Sequence, residues 1–393
     1  MAEGYADLAP QYVLQVQGQD LKSDVTQFVE RVEYESSDSM IDTAKITLVN
    51  PDFVLSSSKV FMPGNELDIY MGYLNPLYVG RVILMRPRVI FPFDGMPTLE
   101  VAGYSKDYLM REKRPFTGNT IPQKKGGSKP GRVVYKDTTV REILEDKAAD
   151  HLLSEDIDDA PWPKGGIVHE ARASDFDVIR AIANLTGYIF WVDYDPETKW
   201  TLHFKRPDQL AAYQLAEHTF RYNFGDKTTL LSFEPEFLFQ GHYTQIRVQS
   251  AIRHPILGIT GFEDIILAEK GELEPDPAYA GAIEEIEGPF PNAELIKIYI
   301  GDYSFAILPK VEIASRSALE VYAEQWFRRM REDFIVGNGY VTGVETLMAR
   351  QVHTLEGLGD PYDGKYYFSN VRHIMSSGEG YRCEFTARKQ LEE

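Results

Sequence analysis

The stretch Gly359-Asp360-Pro361-Tyr362-Asp363-Gly364-Lys365-Tyr366 has the glycine and lysine spacing of a phosphate-binding loop except at its last position. Tyr366 stands where a Ser or Thr hydroxyl would hold magnesium, and Asp360 and Asp363 would face phosphates with like charge. A phosphate cradle also needs a helix N-terminus behind it, whereas Tyr366, Phe368 and Asn370 alternate as a strand does. A strand-connecting turn is expected. Two acidic clusters, Asp156 with Asp158 and Asp159, and Asp193 with Asp195, offer calcium-type ligands. Neither has the glycine and distal glutamate of a calcium loop, and solvated turns are expected. The eight histidines show no His-Glu-x-x-His pairing, and no nucleophile elbow is present. His373 is expected to be a structural hydrogen-bonder. Cys383, the one cysteine, can form neither an internal disulfide nor a zinc site, and lies in an alternating pattern that suits a small buried residue. Glu284 and Glu285 sit in a Gly/Pro-flanked acidic loop, a poor place for a dry hydrolytic pair. No catalytic, cofactor or metal site is expected.

The elements around these residues are mostly strands. Strand-like period-two sets are Tyr12, Leu14 and Val16 against Gln15 and Gln17, then Ala44, Ile46 and Leu48, then Leu67, Ile69 and Met71, then Val82 and Leu84, and Leu99 and Val101. Phe93-Asp94-Gly95 supplies a turn. Thr139 with Glu142, Ser174 ahead of a stripe ending at Gly187, and Ser317 with Glu320 mark three helix starts. The last carries Leu319, Tyr322, Ala323, Trp326, Met330 and Phe334 on one face, a core-facing stripe. A hairpin is expected from Tyr188 to Asp193 and Trp200 to Phe204.

A chain of 393 residues allows two to three domains, and 23 Tyr with 21 Phe favour pleated surfaces. The formal net charge of -19 repels a phosphate backbone, so tight nucleic-acid binding is not expected; the charge reads first as solubility and otherwise as a surface past which DNA can slide without sticking. Met1 to Pro10 lacks an export-signal pattern, and apolar runs such as Tyr188 to Val192 are too short to cross a bilayer. The loop around Lys124, Lys125, Lys129 and Arg132 gathers positive charge and reads either as a solvated loop or as a partner-contact loop, while residues 262–288 carry a net -8.

The first and last strand-rich regions share a skeleton. Gly72, Gly80 and a turn at Gly95 precede Leu99-Glu100-Val101; Gly357, Gly364 and a turn ending at Gly380 precede Cys383-Glu384-Phe385. The interval from Gly80 to Glu100 is 20 residues, as is that from Gly364 to Glu384. The expected fold class is β-rich α+β: two related β-barrel domains, residues 1–105 and 216–260 with 335–393, a small α/β connector at 106–215, and an insertion with its helix at 261–334. Three such chains would place six nearly equivalent barrels around an axis and let a three-fold object meet a six-fold one.

The C-terminal third, with Tyr362-Asp363-Gly364-Lys365-Tyr366, Val371-Arg372-His373, Gly380-Tyr381 and Glu384-Phe385 to Arg388, resembles the late-control D family of phage tail proteins. The segment Ser174 to Val192 and the N-terminal strand pattern are similar to it as well. The resemblance marks Tyr366, His373, Tyr381 and Arg388 as family-motif residues. It implies a baseplate hub, related to the hub part of type VI secretion spike proteins. Such a hub is a homotrimer that continues the tail tube and holds the central spike protein. Its implied neighbours are tube or distal tube, tape-measure and baseplate wedge proteins, with DNA passing through, in a virion component assembled in the host cytoplasm. No lysozyme insertion or spike β-helix is visible. The rival reading is a cell-wall hydrolase or carbohydrate-binding β-protein of the tail tip.

Overall fold

The computed structural model describes residues 9–111, 132–135, 138–160, 167–170, 173–207, 210, 216–238, 245–254, 258–269, 283–286, 305–307, 319–326, 335–360 and 362–389. The first third comprises β1 (Gln11–Val16), β2 (Gln19–Asp20), α1 (Ser23–Thr26), β3 (Val29–Ser37), β4 (Thr43–Val49), β5 (Glu66–Gly72), β6 (Leu77–Ile90), β7 (Thr98–Tyr104) and α2 (Asp107–Met110). The middle holds β8 (Arg132–Tyr135), α3 (Val140–Asp150), β9 (Ser154–Ile157), β10 (Ile167–Glu170), α4 (Asp175–Thr186), β11 (Ile189–Asp195) and β12 (Lys199–Lys205). The last part holds β13 (Thr219–Arg221), β14 (Leu230–Phe237), β15 (Gln245–His254), β16 (Gly258–Glu269), β17 (Ile283–Ile286), β18 (Phe305–Ile307), β19 (Ile335–Thr342), β20 (Gln351–Glu356), β21 (Gly364–Ser376) and β22 (Gly380–Lys389).

The chain is β-rich, dominated by one 13-stranded sheet. Its first half runs in the order β3-β4-β7-β6-β5-β1 and its second in the order β14-β19-β22-β21-β20-β13. With β3 matched to β14, β4 to β19 and β5, β6 and β7 to β20, β21 and β22, the two orders are the same. Irregularities in pairing coincide too. The β6–β7 ladder slips between Leu84 and Arg86, and the β21–β22 ladder slips 284 positions later, between Phe368 and Asn370. The β3–β4 ladder slips between Val29 and Arg31, and the β14–β19 ladder 201 positions later, between Leu230 and Ser232. A bulge shifts every later side chain to the other face, so two matched bulges mark two copies of one module. The correspondence stops at the outermost strand: β1 is antiparallel to β5, whereas β13 is parallel to β20.

The alternation in sequence becomes alternation in burial, since a strand presents successive side chains to opposite faces. In β4, Ala44, Ile46 and Leu48 are buried; in β22, Tyr381, Cys383, Phe385 and Ala387 are. These belong to one apolar core shared by both halves, and each large side chain fully buried there contributes about 1.5–3 kcal/mol. A second core lies beneath α3 and α4 with β9, β11 and β12. Both helices open on capping boxes: Thr139 accepts from the Glu142 N–H, and Ser174 from the Asp177 N–H. Gly187 ends α4 at φ 75°, a left-handed turn that glycine adopts without a steric penalty.

Two domain expectations change. β15 pairs over ten residues with β16 in a separate four-stranded sheet, so the boundary drawn at 260 cuts a hairpin. Pairing with the next strand in sequence closes a far shorter loop than reaching the main sheet would. Residues 319–326 are helical, and Leu319 and Ala323 are buried in the connector core rather than in the insertion. An apolar stripe needs a core, and α3 and α4 supply it.

Candidate functional site: the seam between equivalent modules

The two halves join where β3 lies antiparallel to the distal part of β21, from Ser37 opposite Asn370 to Arg31 opposite Ser376. On the outer face, Asn370 donates to Glu35 at 2.8 Å, and Arg372 stands opposite Glu35 while bonding Glu384 on the neighbouring strand. Burial works against the charge of Arg372, but Glu384, Glu33 and Glu35 outweigh it and raise its pKa. On the inner face His373 lies opposite Tyr34. Its Nε2 is 2.6 Å from the Leu347 carbonyl and its Nδ1 2.8 Å from the Tyr381 hydroxyl. A carbonyl can only accept, so Nε2 carries the proton and Nδ1 accepts from Tyr381. Burial lowers the His373 pKa to about 4. This histidine is neutral and fully bonded, a structural part of the seam.

At one end of the seam Arg350, between β19 and β20, bonds the Ser37 carbonyl and both Asp42 oxygens at 3.4 and 3.3 Å. Its guanidinium lies 4.7 Å from the centre of the Trp191 ring on β11, so one side chain touches both halves and the connector. Burial raises the Asp42 pKa, with Arg350 pulling against it. Ser37 N–H and Tyr34 hydroxyl also reach Asp42, at 3.0 and 3.3 Å.

The polar chain continues into the connector. Trp191 donates to Asp193 at 3.0 Å, and His203 stands 2.9 Å from Asp193 on one nitrogen and 2.9 Å from Asp156 on the other. Lys205 reaches Asp156 at 2.6 Å and Asp158 at 2.9 Å. With a carboxylate at each ring nitrogen, both must donate, which makes His203 an imidazolium. Its pKa is raised, burial being overcome by Asp193 and Asp156. A fixed cation between two acids is a clamp, since a general base must be free to take a proton. The expectation that Asp156, Asp158 and Asp193 are solvated turns is therefore corrected: they neutralise His203 and Lys205. Asp159 follows β9 and reaches Arg141 at 3.4 Å, and Asp195, the last residue of β11, accepts from the Glu197 and Thr198 N–H groups of the turn that comes next. A cleft of about 350 Å³ opens beside α4. Of its acids, Asp38 pairs with Arg388 at 3.5 Å and Asp107 accepts from Ser105.

The family-motif residues divide among these contacts. His373 and Tyr381 meet at the seam, Arg388 crosses it to Asp38, and Tyr366 closes the preceding turn through its hydroxyl on the Tyr362 carbonyl at 2.7 Å. Gly80 and Gly364 occupy equivalent positions for different reasons. A Cβ on Gly80 would lie 2.2 Å from the Tyr34 ring, whereas Gly364 sits at φ 137°, a region that L side chains avoid. A Cβ on Gly72 would meet Glu345, and Gly357 takes φ 85°. Gly95 takes positive φ in its bend and Gly380 where β22 begins, but Gly95 matches Glu379, one residue short of the expected glycine equivalence. Lys124, Lys125 and Lys129 lie outside the described residues; Arg132 starts β8 opposite Glu170. Arg350, Asp42 and His203 were not singled out in sequence. Only the last had a signal, the period-two pairs Trp191/Asp193 and His203/Lys205 on adjacent strands.

No protein-family model matches the sequence, and no curated protein matches it. Solved structures do. A tail protein from Neisseria meningitidis matches with a TM-score of 0.63 at 12% identity, covering 97% of each chain. The 43 kDa tail protein of a Shewanella oneidensis prophage matches with a TM-score of 0.61 at 10% identity, covering 97% of this chain and 98% of that one. An Escherichia coli component of the type VI secretion system, itself described as similar to T4 bacteriophage tail proteins, matches with a TM-score of 0.54 at 11% identity, covering 96% of this chain and 77% of that one. At such identities the likeness is one of fold: the chain has the fold of phage tail proteins and of a type VI secretion component.

Proposed function

We propose that this chain is the structural baseplate hub of a contractile, phage-type tail. Three copies form a ring in which six similar modules meet a six-fold tail tube on one side and a three-fold central spike protein on the other. The observation that carries this reading is the repeated strand order with both bulges in register. A chain with two interchangeable modules needs only three-fold association to imitate six-fold symmetry. The likeness in fold to tail proteins supports the setting.

In this reading the tube or distal tube protein stacks on the ring, wedge proteins surround it, and tape-measure protein and DNA pass through it. A net charge of -19 suits that passage, because a moving phosphate backbone meets repulsion in place of Lys and Arg contacts. The chain itself performs no chemistry. Among the described residues no helix is long and apolar enough to cross a membrane. Class averages of the purified protein by negative-stain electron microscopy test the assignment: a ring with six lobes around a channel supports it, and isolated particles without a ring at high concentration overturn it.

A further inference from the structure

The internal seam specifies a second one. Within the chain, the outer edge of β3 pairs with the distal part of β21. The module equivalent of β3 is β14, and that of the distal β21 is β6 from Arg86 onward. Among the described residues, no strand pairs with the outer edge of β14 or with that part of β6 on the side away from β7. Each chain thus has one half of the seam at β14 and the other half at β6, too far apart in sheet order to pair with each other.

We propose that β14 of one copy of this chain pairs antiparallel with residues 86–91 of β6 and its following turn in the next copy, in the register of the internal seam. This rests on the ring proposed above and names its contacts. Moving the internal pairs Arg372–Glu35, Ile374–Glu33 and Met375–Val32 by the module offsets gives Arg88 opposite Glu236, Ile90 opposite Glu234, and Phe91 opposite Phe233.

Three independent observations fit that register. The first is charge. Arg88 bonds Glu100 as Arg372 bonds Glu384, each pair 284 positions from the other. Glu234 and Glu236, exposed on β14, stand where Glu33 and Glu35 stand on β3. The outer face of the new seam therefore repeats the arginine-against-two-acids arrangement of the internal one. A shift by one residue would instead turn these charges onto the apolar face.

The second is exposure. Phe91, Phe93 and Leu231 are 68%, 106% and 48% exposed, an apolar cluster split between two distant edges. In the internal seam the Ser377 N–H bonds the Glu30 carbonyl, and the same offsets place Phe93 opposite Leu231. One pairing covers all three side chains.

The third is proline. The Asp38 N–H donates to the Ser369 carbonyl and the Ser377 N–H to that of Glu30. Alternate pairs between them, including Ser36–Val371 and Tyr34–His373, therefore exchange both backbone bonds. Their counterparts are Phe237–Pro87 and Pro235–Val89, and each proline removes one N–H from the ladder. The intersubunit seam thus has two backbone bonds fewer than the internal one, and its side chains choose the partner and register. The same prolines guard both edges against unrelated strands while a chain awaits assembly.

The test is a disulfide. Ile90 and Glu234 would form a non-exchanging pair, whose Cα atoms stand about 4.5 Å apart, within the span a disulfide accepts. The Ile90→Cys, Glu234→Cys double variant is purified, its mass measured by light scattering beside the wild type, then oxidised and run on a non-reducing gel. Cys383 is buried and stays silent. Expected are covalent dimers and trimers from the double variant and none from either single variant. A wild-type trimer whose paired cysteines do not cross-link, or which cross-links better through Ile90→Cys with Glu236→Cys, overturns this seam and leaves the ring standing. A wild type that is monomeric at every concentration overturns the ring and the seam together. Glu236→Lys, an exposed change that spares the core, checks the charge term: the concentration at which trimers form rises by about tenfold, and an unchanged midpoint counts against the register.

Discussion

Arg350 and Asp42 form a buried ion pair, 308 residues apart in sequence, at the point where both modules and the connector meet. Asp42 is 2% exposed and Arg350 8%. Removing one partner leaves a buried charge uncompensated, which costs roughly 3–5 kcal/mol. Arg350→Met should lower the urea midpoint accordingly, and adding Asp42→Asn should recover part of the loss. Equal loss in the single and double variants would mean that the pair acts through packing alone.

Stability should fall with rising pH because of Asp107. Burial is the main cause of its raised pKa, with Asp42 adding to it and Ser105 and Arg111 opposing, and the value moves from 3.8 to about 7. Between those values the folded chain keeps a proton that the unfolded chain has released. The contribution is complete below the unfolded value and is lost as pH rises through about 7, at roughly 1.4 kcal/mol per pH unit. Asp175 behaves in the opposite sense. Despite burial, His151 and Lys147 hold it down at about 2, so its contribution is present above 3.8 and is lost as pH falls toward 2. Urea unfolding at pH 5, 6, 7 and 8 should show a decline that Asp107→Asn flattens; parallel curves would contradict the assignment.

Gly80→Ala should destabilise by overpacking, because the added methyl would sit 2.2 Å from the Tyr34 ring. Such intrusions cost about 1–3 kcal/mol. Thermal unfolding checks it, and Tyr34→Leu in the same chain should return part of the loss by opening the space. A neutral Gly80→Ala would show that the ring can move aside.

The purified chain should leave a peptidoglycan zymogram uncleared, since Asp156 and Asp193 are engaged by His203. Clearing that disappears on substitution of a single Asp or Glu would place an enzyme in this fold.

Much of this architecture was legible in the sequence because its signals are local. Alternation in β4, β7 and β22 translated directly into burial, and helices opened at the Thr139 capping box and at Ser174, where the structure adds a second box with Asp177. The equal spacing from Gly80 to Glu100 and from Gly364 to Glu384 reflects a hairpin register that the structure preserves. What escaped is what chain separation hides. Met85 and Ser369 occupy the matched bulges yet share no chemistry, so a bulge leaves no residue signature. Arg350 and Asp42 meet only after both modules fold. The acids at Asp156 and Asp193 read as solvent-facing because their partners His203 and Lys205 lie on another strand. β15 read as part of the main sheet because alternation specifies a strand without specifying its neighbour.

Native mass spectrometry of the purified chain, across a range of concentrations and at low salt, tests the central claim most directly. Two modules of one strand order per chain, associating by three-fold symmetry, predict a closed species of three chains with neither dimer nor open-ended series accumulating. A monomer throughout, or a ladder of ever larger species, would contradict it.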